Sequence, residues 1–200
     1  MAHIETLTDN FNDNSMDTNL WTLQTGTGST AETGGQLVIT PASNNPGSTY
    51  DGYASVNTYD LTSSQATVEI PTGINAANGD EQAFTLALNT NNSITMLLGG
   101  SNNLIFRLKT AGSTNDTSVT RNDTTMRWWR IRESGGLVFY ETSPDGNTWT
   151  MRRATAVSFS ITTLQVKLTA GTWQNVASPG TAVFDNLNVL KTAPSGWLTA

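Results

Sequence analysis

Two stretches decide the fold: Phe84-Thr85-Leu86-Ala87-Leu88 and Leu104-Ile105-Phe106-Arg107-Leu108-Lys109. In both, large apolar residues recur at every second position. This is the two-residue period of a strand with one buried and one wetter face. The same alternation runs through Ala66-Thr67-Val68-Glu69-Ile70 and through Leu164-Gln165-Val166-Lys167-Leu168-Thr169. Between such segments lie turn clusters: Thr33-Gly34-Gly35, Asn44-Asn45-Pro46-Gly47, Asn75 to Gly79, Gly99 to Asn103, Gly135-Gly136 and Ser143 to Asn147. Short strands punctuated in this way predict an all-β protein, a sandwich or a barrel. No stretch combines helical period with capping residues, and no short repeat points to a propeller or solenoid. The closing strand is expected over 182–190, so one domain is expected over 1–190 with a tail over 191–200. Trp197 in that tail fits either a plug on the domain's own core or a contact with a neighbouring subunit.

Composition agrees with this reading. Charged residues make up only 13% of the 200 residues, whereas long helices lean on Glu, Lys, Ala and Leu. Thr and the aromatics suit pleated strands, and Asn and Gly suit tight turns. A chain of this length buries roughly 70% of its unfolded surface, enough for a substantial core. Six tryptophans and regular alternation argue against disorder.

Net charge is −6 and unevenly spread: residues 1–106 hold ten of the sixteen acidic groups and no Lys or Arg. Eight of the ten basic residues fall between Arg107 and Arg153. An acidic chain with one short basic stretch argues against a nucleic-acid partner. Two readings of that stretch stay open: sheets of different surface charge, or an Arg-bearing face for a ligand or subunit. No cysteine is present, so disulfides and thiolate metal sites are unavailable. No basic segment followed by an apolar run opens the chain, so no signal peptide is visible, and no apolar stretch approaches the length of a transmembrane helix.

Several motifs recur in a telling order. Asp9-Asn10-Phe11-Asn12-Asp13 is followed by Leu20-Trp21, then by Gly34-Gly35-Gln36-Leu37-Val38-Ile39. Trp128-Trp129-Arg130-Ile131-Arg132 precedes Gly136-Leu137-Val138-Phe139-Tyr140, and Phe184-Asp185-Asn186-Leu187-Asn188-Val189 comes near the end. Together, over about residues 6–190, these resemble the concanavalin A-like lectin/glucanase superfamily, including its laminin-G-like modules. The resemblance implies a two-sheet antiparallel jelly-roll sandwich. Such folds serve many functions, so it says less about activity. Ser143-Pro144-Asp145-Gly146-Asn147-Thr148-Trp149 is similar to the Asp-box turn of sialidases, but one residue shorter and present once. It reads as a structural hairpin.

Trp128, Arg130 and Arg132 share one strand parity, opposite to Trp129 and Ile131. With Tyr140 from the next strand and Arg107 from another, they form the expected ligand-binding set. An aromatic face stacks on a sugar while guanidinium groups bond its hydroxyls or carboxylates. The same residues also suit Arg stacked on its own aromatic neighbours to cover the sheet. Asp185 shares parity with Val183 and Leu187, so a regular strand turns it towards the core, where a carboxylate needs partners. The resemblance implies a structural calcium there, with Asp9 or a backbone carbonyl as co-ligand; a hydrogen-bond anchor or a bulge exposing Asp185 is the other reading.

The β-glucanase branch that the chain resembles carries Glu-x-Asp-x-(x)-Glu on one strand, pairing nucleophile and acid/base. Here Glu69, Glu133 and Glu141 stand alone, and the single His3 offers no triad or two-His metal site. The resulting expectation is a non-enzymatic protein. The first reading is a bacteriophage virion subunit, in tail, fibre or capsid decoration. Its expected partners are other virion proteins and a host-surface glycan, with homo-oligomers left open. The second reading is a carbohydrate-binding module associated with a polysaccharide-degrading enzyme.

Overall fold

The computed structural model describes residues 1–76 and 79–189. Trp197 and the expected tail lie outside the described residues. Among the described residues, fourteen strands form two antiparallel sheets of seven. In spatial order, the first sheet contains β1 (Trp21–Gln24), β4 (Thr49–Tyr59), β13 (Leu164–Thr172), β6 (Asp80–Asn89), β7 (Asn92–Gly99), β8 (Asn103–Thr110) and β9 (Ser113–Thr120). The second contains β12 (Thr150–Ala156), β11 (Leu137–Ser143), β10 (Trp128–Ser134), β5 (Gln65–Thr72), β14 (Ala182–Asp185), β3 (Gln36–Thr40) and β2 (Ser29–Thr33). The two-sheet antiparallel jelly roll expected from the sequence is therefore the architecture found.

The alternation explains the layering. Phe84, Leu86, Leu104, Phe106, Val166 and Leu168 of the first sheet turn inward and are buried. Ala66, Val68, Trp129, Ile131, Tyr140 and Phe184 face them from the second. Full burial of such a side chain contributes roughly 1.5–3 kcal/mol. Phe106 meets Tyr140 across the interface with ring centroids 5.9 Å apart. The N-terminal segment closes one edge. Its Asp9 carboxylate accepts the Phe11 N–H at 2.8 Å and the Trp21 indole N–H at 2.7 Å.

The closing strand departs from its expected course. It ends at Asp185, and Asn186 takes a left-handed φ of 49°. That turn resets the alternation: Ala182 and Phe184 enter the core, then Leu187 re-enters it. Asp185, out of phase with Phe184, faces outward. The parity argument that sent it inward fails because the strand is interrupted between Asp185 and Leu187.

Candidate functional site

The outer face of the second sheet holds Trp128, Arg130 and Arg132, as their parity required. It is closed by its own contacts. Trp128 is 1% exposed because the Ser143–Trp149 turn folds over it. A Cβ at Gly146 would lie 3.2 Å from the Trp128 ring, so glycine permits this approach at a φ of 78°. The turn is fixed by Asp145, whose carboxylate accepts the N–H groups of Asn147 and Thr148. Those backbone donors, led by Thr148, hold its pKa down at about 2.

The arginines are engaged as well. Arg130 Nε donates to Glu141 at 2.6 Å and its guanidinium stacks on Trp149 at 4.1 Å. Arg132 donates to the same carboxylate at 3.2 Å and stacks on Phe139 at 4.3 Å. Burial pushes the Glu141 pKa up, but the bonds from Arg132 and Arg130 outweigh it and leave the carboxyl below its usual range. Alongside, buried Glu69 accepts from Arg127 at 2.6 Å and from the Asn186 amide at 2.7 Å. The self-stacked reading is the geometry found.

The remaining expected ligand residues do not join them. Tyr140 is buried between the sheets, and its hydroxyl donates to the Arg107 backbone carbonyl at 2.7 Å. Its position alternates with Glu141, so it had to take the opposite face. Arg107 lies on the outer face of the first sheet, forked onto Asp116 with the shortest contact 2.8 Å. Asp9 and Asp185 are not a ligand pair either. Asp9 serves Trp21 inside the sandwich, while outward Asp185 accepts from Gln36 at 3.4 Å and from the Asn186 N–H at 2.7 Å. Among the described residues, no group of three or more His, Cys, Asp or Glu is arranged to hold a metal. The residues thus do not fit the calcium site that the resemblance implied.

A more open arrangement occupies the outer face of the first sheet. Gly171 of β13 pairs with Tyr50 of β4 on one side and with Glu81 of β6 on the other. Having no side chain, it lets the Tyr50 ring cross over, and the Tyr50 hydroxyl donates to Glu81 at 2.8 Å. A Cβ at Gly171 would lie 2.6 Å from Tyr50 Cδ1 and 2.0 Å from the Thr49 carbonyl oxygen. Burial, then the Glu81 charge, drives the Tyr50 phenol upward, so it remains a donor. Trp173, one residue past the end of β13, is 43% exposed. One step along the strands, Gly52, Thr169 and Ala83 stand side by side. Beyond this low row come Lys167, Thr85, Thr95 and Arg107.

Small residues thus stand between longer ones across these strands. No side-chain hydrogen bond, ion pair or ring contact holds Trp173 or Lys167 among the described residues, although the Trp173 backbone N–H bonds the Gly79 carbonyl at 2.8 Å. An exposed indole, a carboxylate oriented by a phenol, and a free ammonium can together stack on a sugar ring and bond its hydroxyls. Sequence reasoning missed this face. Its one readable signal was the β13 alternation, which carries Lys167, Thr169 and Gly171 on a single side.

No family model matches the chain, and no curated protein matches it. Solved structures do. A β-glucanase from Bacillus licheniformis aligns over 90% of this chain and 94% of its own at 13% identity, with a TM-score of 0.64. A laminarinase from Flavobacterium sp. UMI-01 aligns over 90% and 96% at 11% identity, TM-score 0.64. An endo-β-galactosidase from Clostridium perfringens that releases GlcNAcα1-4Gal gives a TM-score of 0.68 at 9% identity, over 90% of this chain and 60% of that one. These likenesses correct the expectation of a non-enzymatic protein, since these three structures are named as glycan-cleaving enzymes. The expectation rested on finding no carboxylate cluster on one strand. Yet the sheet brings Glu81 and Asp116 to a single face from separate strands, so a strand-local motif is no test of chemistry. The chain has the concanavalin A-like jelly-roll fold of the β-glucanase.

Proposed function

We propose that this protein acts on glycans, and that the outer face of the first sheet, at Tyr50, Glu81, Lys167 and Trp173, makes the sugar contact. The observation that carries this reading is the Tyr50–Glu81 bond across Gly171, beside an exposed Trp173 whose side chain has no partner among the described residues. A preset acceptor next to an aromatic platform suits a pyranose, which offers hydroxyls at its rim and C–H bonds on its face. The glycan-cleaving names of the structural neighbours support the substrate class. The setting we propose is a bacteriophage particle meeting host-surface glycan, supported by the Thr/Asn/Gly-rich, cysteine-free composition.

The test is a glycan array followed by titration, with wild type, Trp173→Ala and Lys167→Ala. Wild type is expected to retain at least one glycan class, and Trp173→Ala to lose about tenfold or more in affinity, equivalent to about 1.4 kcal/mol, with unchanged thermal stability. Undiminished binding by Trp173→Ala, or no glycan bound by wild type, overturns the assignment of this face. A reducing-end assay on the retained glycans, with Glu81→Gln alongside, reads turnover.

A further inference from the structure

Lys167 is set apart from the other cations of the chain. Every arginine among the described residues is bonded within the protein, to a carboxylate, a hydroxyl or a backbone carbonyl. Lys109, two residues along β8 from Arg107, donates to the Thr90 carbonyl at 2.8 Å. Lys167 occupies an outward, half-buried position midway along β13. No hydrogen bond or ion pair holds its ammonium among the described residues.

The strand register surrounds it with uncharged residues. Ala54 of β4 and Thr85 of β6 stand opposite it, and Gln165 and Thr169 are its neighbours on the same side of β13. Glu81 and Asp116, the strand carboxylates of this face, lie well away. Glu81 is four residues from Thr85 along β6, roughly 13 Å at the rise of an antiparallel strand, and is bonded by Tyr50. Asp116 stands on β9, at the far edge of the sheet from β13, and is bonded by Arg107. The ammonium therefore has no counter-charge of the protein's own on these strands.

A second donor stands beside it. The Thr95 hydroxyl donates to Thr85 Oγ1 at 3.2 Å, so Thr85 is the acceptor in that bond and keeps its own O–H to give. Residues opposite each other across an antiparallel pair have Cβ atoms roughly 4.5–5.5 Å apart, so the Lys167 ammonium and the Thr85 hydroxyl can address one ligand group. A cation and a hydroxyl donor with no carboxylate between them complement an anionic group of two oxygens. Hydrogen bonds to an ionised acceptor are roughly twice as strong as those to a sugar hydroxyl. Resting on the glycan reading of this face, we infer that the ligand is an acidic oligosaccharide whose carboxylate is held by Lys167 and Thr85. The roughly 13 Å of strand between Thr85 and Glu81 places that carboxylate on a different sugar unit from the one at the Tyr50–Glu81 pair.

The experiment is calorimetric titration of the full chain at neutral pH with matched acidic and neutral probes. These are tetramers of galacturonate, mannuronate and glucuronate against their methyl esters, sialyllactose against lactose, and a sulfated galactan tetramer against its desulfated form. Wild type is expected to bind at least one carboxylate probe about tenfold or more tighter than its neutral counterpart. Lys167→Gln should bring the two within about twofold, and Thr85→Val should narrow the gap about threefold, as for one lost hydrogen bond. Lys109→Gln, which removes the same charge from an internally bonded position on the same face, should leave the gap unchanged. Equal affinity of wild type for every acidic and neutral pair overturns the inference, as does a preference that survives Lys167→Gln or one shown only for sulfate. In those cases the sugar-binding face still stands if Trp173→Ala weakens binding, whereas a wild type that binds no glycan at all removes both.

Discussion

The two outer faces of the sandwich carry similar residue types and treat them in opposite ways. On the second sheet, Arg130 and Arg132 converge on Glu141, and Trp149 and Phe139 cover the guanidinium planes. Each charge and each ring there has an internal partner. On the first sheet, Tyr50 and Glu81 are joined, but the side chains of Trp173 and Lys167 are left without partners among the described residues. An arginine and a tryptophan on one strand face do not make a binding surface; free valence does. A polar group already paired in the protein must break that bond before it meets a ligand, and the cost is comparable to the bond gained.

The comparison can be broken most forcefully at Glu141. Glu141→Ala strands two arginines on a mostly buried face, and losing one partner of such a network costs about 3 kcal/mol. Urea unfolding is expected to show that loss, while glycan affinity of the folded variant stays within twofold of wild type. A large loss of glycan binding at unchanged stability would return the ligand to the second sheet.

A second effect separates the interior from both faces. Glu32 lies between the sheets at the β2 edge, 8% exposed, with neither carboxylate oxygen bonded. Burial, then the charge of Asp9, pushes its carboxyl up to about 7 from an ordinary 4.5. Because the folded value lies above the unfolded one, folding takes up a proton. The stabilisation is complete below about 4.5 and is lost as pH rises through about 7. Between pH 5 and pH 8, Glu32→Gln is expected to gain about 2 kcal/mol relative to wild type in chemical unfolding. A constant difference across that range would show that Glu32 does not titrate there.

The smallest expected effect lies on the exposed pair of the first sheet. Asp116→Asn releases Arg107 from a partly exposed ion pair, which is worth about 0.5 kcal/mol in stability. The released guanidinium then adds a free donor to that face. Array titration should show equal or tighter binding of glycans that carry a carboxylate. Weaker binding of those same glycans would mean that Asp116, rather than Arg107, serves the ligand.

Much of the fold was legible and much of the site was not, for one reason. Strand alternation is a local property, so Phe84 to Leu88 and Leu104 to Lys109 announced β6 and β8 directly. The β9 segment, Ser113 to Thr120, gave no such signal, because an edge strand with mostly exposed residues has no apolar face to reveal. Its order comes from pairing with β8. Asp185 was misplaced for a related reason, since the left-handed Asn186 breaks the period that local reading assumes.

The sequence by itself determined the all-β class, the inward sides of the regular strands, and the separation of Trp128, Arg130 and Arg132 from Trp129 and Ile131. Only the tertiary structure decided which of those outward groups meet each other. Arg107 went to one sheet and Arg130 to the other, and Gly171 brought Tyr50 within reach of Glu81 from 31 residues away. The physical reason is that facing is set by a two-residue backbone period. Pairing is set instead by which strands become neighbours, and in this sandwich those neighbours lie far apart in sequence.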